Sequence, residues 1–158
     1  MNEDKLAAVA QQMWDGATAI RNVDGNEVQA VAFALVADEI RVIMLAPVPY
    51  EYWRNVLVAM AGAGADIVGT CSEAWGVKVE QKDQPAYDAA SALGVRNEDR
   101  PDRFELLQVV AEDATGRIVG LRAEIKDGRV GEPNLDPPGT QFGGRLTGSF
   151  LKRVARLI

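Results

Sequence analysis

"AVAFALVADEIRVIMLAPV", residues 30 to 48, consists of two apolar runs separated by Asp38-Glu39 and closed by Pro47. Each run is strand-length and rich in Val, Ile, Leu and Phe, so the stretch reads as two strands about a turn. Residues 29 to 37 and 40 to 46 are apolar at nearly every position instead of alternating, the pattern of strands covered on both faces. Both are therefore expected to be central in a sheet. Asp38, Glu39 and Arg41 break the run well short of the roughly 18 apolar residues that span a bilayer, so no transmembrane segment is expected.

Working outward, Asp24-Gly25 is a second turn signal, and with it residues 18 to 48 read as a strand meander. Residues 3 to 14 precede it with Leu6, Val9, Ala10 and Met13 at helical spacing and with Glu3 and Asp4 near the positive N-terminal end. Gly16 is the expected stop of that helix. On the other side, Pro47 and Pro49 end the sheet, and a helix follows with Trp53, Val56, Leu57 and Met60 on one side and Gly62 and Gly64 at its end. That helix should pack on the meander. The "GAGAD" stretch closes a helix and precedes a strand, the reverse of the strand-to-helix context that a phosphate-binding glycine loop needs.

Residues 66 to 80, "DIVGTCSEAWGVKVE", form the next expected strand, on which Ile67, Cys71, Glu73, Trp75, Val77 and Val79 share one face. Cys71 and Trp75 read first as core residues, since no histidine or neighbouring cation marks a lowered thiol pKa. Glu73 is the anomaly on that face. A carboxylate there costs several kcal/mol unless it finds a cation, takes a proton or sits at an open edge.

Two arginines farther along are candidates for that cation. The segment 82 to 103 is polar, with a possible short helix at 85 to 93, and leads into a hairpin of 104 to 112 and 117 to 126 around Asp113 to Gly116. If the strand at 104 lies beside the strand at 66, Arg100 or Arg103 can form a bidentate pair with Glu73. The pair reads either as a structural salt bridge or as a substrate anchor in a cleft near residues 82 to 103, and structural pairs are the commoner case. Glu98, Asp99 and Asp102 lack the spacing of a calcium loop and read as a solvated charged segment. In the second hairpin strand, Val119, Leu121, Ala123 and Ile125 alternate with Arg122, Glu124 and Lys126, as in a half-exposed strand near an edge.

Residues 127 to 148 turn to Gly and Pro and read as an extended arm or linker. Residues 149 to 158 are amphipathic, with Phe150, Leu151, Val154, Leu157 and Ile158 apolar and Lys152, Arg153 and Arg156 basic. Such a segment needs a surface to dock on: its own domain, a neighbouring subunit, another protein or an anionic surface. Arm exchange between subunits is favoured, because it is a low-cost route to oligomers.

Composition removes much chemistry. The chain has 158 residues, 47% of them hydrophobic and 25% charged, enough for one ordinary globular core. A net charge of -6 argues against nucleic acid or anionic membrane as the main partner, since both need a positive field. There is no histidine, so Ser-His-Asp and Cys-His nucleophile systems and histidine-based zinc sites are excluded, and one cysteine holds neither a zinc ion alone nor an internal disulfide. No metal or cofactor is expected. The acidic N-terminus lacks the basic start and apolar run of a signal peptide, so a cytoplasmic protein is expected.

"SEAWGV" followed by "PDRFELLQVVAEDATGRIVGLRAEI" resembles a group of short proteins of bacteria and their phages, over roughly residues 26 to 126. The resemblance implies a compact cytoplasmic α+β domain, carries over no activity and no catalytic residue, and lends weight to pairing Glu73 with Arg103. The expectation is thus an α+β fold at residues 1 to 126, with a mostly antiparallel sheet (meander plus hairpin) and two main helices, then the arm at 127 to 148 and the amphipathic segment at 149 to 158. The expected role is that of a phage-related, non-enzymatic oligomeric interaction protein assembled through the arm. The alternative is a small-molecule enzyme, or a ligand or metal sensor, using Glu73 with an arginine anchor.

Overall fold

The computed structural model describes residues 4–77 and 103–135, and for residues 75–77, 103, 134 and 135 it describes the backbone. The fold is α+β. Helix α1 (Lys5–Asn22) is followed by the strands β1 (Val31–Val36) and β2 (Glu39–Met44), a 3-10 turn at Tyr50–Tyr52, and helix α2 (Trp53–Gly62). Strands β3 (Ile67–Val77), β4 (Arg103–Asp113), β5 (Ile118–Lys126), β6 (Arg129–Val130) and β7 (Asn134–Leu135) complete it. The spatial order is β2-β1-β3-β4-β5-β6, with β7 also on β5, and every pairing is antiparallel.

Helix α1 starts at Lys5, two residues after the start expected from sequence. Asp4 caps it, its carboxylate accepting the Ala7 N–H. It does not stop at Gly16. A mid-helix glycine costs only about 1 kcal/mol, and the apolar stripe Leu6, Val9, Ala10 and Trp14 continues through Ala17, which is buried, and Ile20, which packs on the same core. The expected first strand of the meander is therefore the last turn of α1, and Asp24-Gly25 is its exit, with Gly25 at φ +70°.

Two layers of core follow from strand alternation. Phe33 and Leu35 of β1, Ile67 and Cys71 of β3, Leu107 and Val109 of β4, and Leu121, Ala123 and Ile125 of β5 pack under α1. Ala32, Ala34 and Val68 face the other way and pack under Leu57, Met60 and Ala61 of α2, as the sequence predicts for that helix. Small residues on this side of β1 let α2 approach closely. The hairpin expected between 104 and 126 also forms, with Leu106 opposite Glu124 and Glu112 opposite Ile118.

Strand β2 departs from expectation. It is the edge of the sheet, and Val42, Ile43 and Met44 are about half exposed, at 51%, 45% and 49%. Its sequence reads as a strand covered on both faces, but among the described residues it pairs only with β1. The β1–β2 turn is Ala37-Asp38, with φ of 51° and 64°, one residue before the turn expected from sequence. Both residues are left-handed, as a two-residue hairpin turn of this hand requires. An alanine in that region is strained by about 1–2 kcal/mol. Ala37→Asn is accordingly expected to raise the unfolding free energy by about 0.5–1 kcal/mol, read as a higher denaturation midpoint with unchanged m-value.

The sheet also runs past the expected domain boundary at 126. Asp127-Gly128, at φ 53° and 74°, forms a second left-handed two-residue turn that brings Arg129–Val130 back onto Lys126 and Ile125. Asn134–Leu135 then pairs with Arg122 and Leu121. An Asp-Gly pair after an alternating strand is a strong hairpin signal, and it outweighs the surrounding Gly and Pro content. The rest of the arm and the 149-to-158 segment lie outside the described residues.

Candidate functional site

Glu73 sits in the middle of β3, opposite Leu107 of β4, on the face covered by α1. The guanidinium that meets it is Arg21, in the last turn of α1. Arg21 Nε donates to Glu73 Oε1 at 2.6 Å and Nη2 donates to Oε2 at 2.7 Å, a bidentate pair. The Val28 N–H, from the connection between α1 and β1, donates to Oε1 at 2.8 Å. Side-chain exposures of 11% and 20% put the pair largely out of water. The Glu73 hydrogen bond holds the Arg21 pKa above its ordinary value against the opposing effect of burial.

The neighbouring residue makes a second tie. Asn22 Nδ2 donates to the Val130 carbonyl and the Val130 N–H donates to Asn22 Oδ1, each at 2.9 Å. The side-chain amide thereby stands in for a further strand along β6. Arg21 and Asn22 together fasten the end of α1 to both β3 and β6, which are three positions apart in the sheet.

The sequence reading locates Glu73 correctly on the core-facing side, and Arg21 is the partner it misses. Residues 18 to 23 read as a strand, and only a helix extended to residue 22 carries Arg21 to the sheet. A continued apolar stripe at Ala17 and Ile20 is the signal that finds it. Arg103 opens β4 opposite Val77, with only its backbone described. Arg100, the cleft of residues 82 to 103, and Glu98, Asp99 and Asp102 lie outside the described residues.

Cys71 is 1% exposed within the core under α1. Burial, with a smaller effect of the Glu73 charge, pushes its thiol up to about 12, so it carries essentially no thiolate near neutral pH. Its role is that of a small apolar side chain. On the opposite face of β3 to β5 a polar row crosses the sheet: Ser72 lies opposite Gln108, and Gln108 opposite Arg122. Thr70, Ser72 and Glu112 on that face are buried, at 3%, 8% and 3% exposed.

An open groove of about 430 Å³ runs along β5 and β6, between Glu124 and Lys126 on one side and Arg129 and Glu132 on the other, away from Glu73. Among the described residues no group of His, Cys, Asp and Glu is disposed to hold a metal ion, and no helix is long and apolar enough to cross a membrane. What the Arg21–Glu73 arrangement can do is therefore hold elements together. Both carboxylate oxygens accept from Arg21, and Oε1 also accepts from the Val28 N–H, so the end of α1, the chain at Val28 and β3 meet at one carboxylate.

No curated protein and no solved structure matches the chain. The family described as bacteriophage lambda protein ea47 matches residues 1–134, which takes in the sheet through β6 and both of its helices. The chain belongs to that phage-related family.

Proposed function

We propose that the chain is a cytoplasmic, non-enzymatic oligomeric interaction protein of phage origin, whose work is association rather than turnover. The observation that carries this reading is β2, an edge strand on which Val42, Ile43 and Met44 stand about half exposed. Exposed edge strands are normally blunted by charge, proline or a bulge because they template pairing with other chains. Here the outer strand carries Glu39 and Arg41 but is apolar at its other four positions, Ile40, Val42, Ile43 and Met44. The bidentate engagement of Glu73 by Arg21 also favours this reading over the alternative of a Glu73-based enzyme or sensor, in which the carboxylate must meet a ligand. The basic, apolar segment 149 to 158 offers the acidic body a second contact through the arm.

Sedimentation velocity tests it. The full chain is expected to sediment as a species heavier than its 17.1 kDa monomer, and Val42→Lys to shift the distribution toward monomer with little change in melting temperature. A chain that is monomeric at every accessible concentration overturns the reading.

A further inference from the structure

The geometry points to a second copy of this chain as the occupant of the β2 edge, paired antiparallel about a two-fold axis at Val42 so that two sheets join into one. The inference rests on the association reading above and adds to it the surface and the register.

The hydrogen-bonding pattern of β1 shows which backbone groups of β2 face outward. The Leu35 carbonyl accepts the Asp66 N–H at 2.9 Å on the β3 side, while the Ala30 carbonyl accepts the Leu45 N–H at 2.8 Å on the β2 side. Even-numbered β1 residues therefore bond toward β2, and their register partners Ile43, Arg41 and Glu39 are occupied with β1. That leaves the N–H and C=O groups of Ile40, Val42 and Met44 directed away from β1, to a side on which no strand lies among the described residues. An isologous pairing must place these residues opposite one another.

Four of the registers that meet that condition overlap three residues or more, and the side chains separate them. Centring the axis on Ile40 or on Ile43 overlaps only three residues of each six-residue strand. Centring it on Arg41 overlaps five but sets two arginines face to face, and like charges directly opposite are destabilising. Centring it on Val42 also overlaps five, and places Ile40 opposite the partner's Met44, Val42 opposite the partner's Val42, and Arg41 opposite the partner's Ile43. Ile40, Val42 and Met44 share the face of Leu35, Phe33 and Val31, which pack under α1. The two copies of this apolar row then join the two α1 cores into one strip. Arg41 keeps its own-strand neighbour Glu39, 3.5 Å away on the opposite face. The second copy satisfies the outward backbone groups of β2 and sets its apolar side chains beside their counterparts.

The test is disulfide trapping in the full chain. Cα atoms of an antiparallel hydrogen-bonded pair lie about 5.5 Å apart, within disulfide range, and buried Cys71 does not compete. Val42→Cys is expected to form a covalent dimer rapidly under mild oxidation, while Arg41→Cys and the exposed helix-end control Val23→Cys form one at least about tenfold more slowly. Fast cross-linking of Arg41→Cys instead overturns the Val42 axis. An oligomer by sedimentation in which neither β2 cysteine cross-links overturns the β2 inference and leaves the association reading standing. A monomer overturns both.

Discussion

Glu73→Ala is expected to lower the unfolding free energy by about 2–3 kcal/mol, at or just below the least that breaking a fully buried ion pair costs, since the pair keeps some solvent contact. The loss is of two kinds. Arg21 stays at the end of α1, largely buried and without the carboxylate it is hydrogen-bonded to, and the Val28 N–H loses its acceptor. For a chain of this length the effect corresponds to a fall in melting temperature of about 4–12 °C. Glu73→Gln keeps an acceptor for Val28 and is expected to cost about half as much. A double-mutant cycle with Arg21→Ala completes the measurement: the double variant should lose at least about 1 kcal/mol less than the two single losses added together. Additive losses, or a Glu73→Ala cost under about 0.5 kcal/mol, would show that the pair does not hold α1 to β3.

The other large effect is at Gly69. In β3 it lies between Phe33 of β1 and Ala111 of β4. A Cβ there would run into the Val110 carbonyl and the tip of the Phe33 ring, with the Ala111 Cα 3.0 Å away. Backbone on one side and a fully buried ring on the other cannot both give way. Gly69→Ala is expected to cost about 3 kcal/mol, at the upper end for overpacking, and to appear as reduced soluble yield and a melting temperature lowered by about 6–12 °C. Phe33→Leu in the same chain removes the ring contact but not the carbonyl contact, so it should rescue only part of the loss. Gly69→Ala at parental stability would mean that the strands are farther apart than the structure has them.

Several elements are legible in the sequence because the forces that make them are local. Asp4 marks the start of α1, Gly62 and Gly64 bracket the end of α2, and the alternation of Leu121, Ala123 and Ile125 with Arg122, Glu124 and Lys126 sorts one strand into a core face and a wet face. Cys71 as a core residue and Glu73 as a carboxylate in need of a cation follow from strand geometry alone. The extent of α1 is harder to read, because Gly16 and Asp24-Gly25 are local breakers, while the burial of Ala17 and Ile20 against the sheet that outweighs Gly16 is a tertiary gain. The same competition, with the opposite outcome, makes a hairpin of Asp127-Gly128 inside a stretch whose overall composition reads as linker.

By itself, then, the sequence determined the class of the fold, the two helices, the hairpin of β4 and β5, and the absence of histidine chemistry, since these depend on residue type and on periods of 2 and 3.6. Only the tertiary structure decided which cation meets Glu73, because Arg21 is 52 residues away and reaches it through the crossing of a helix over a sheet. It alone placed β2 at the edge. An apolar run states that both faces want cover, and strand order, set by which long-range pairs close, decides whether that cover comes from within the chain.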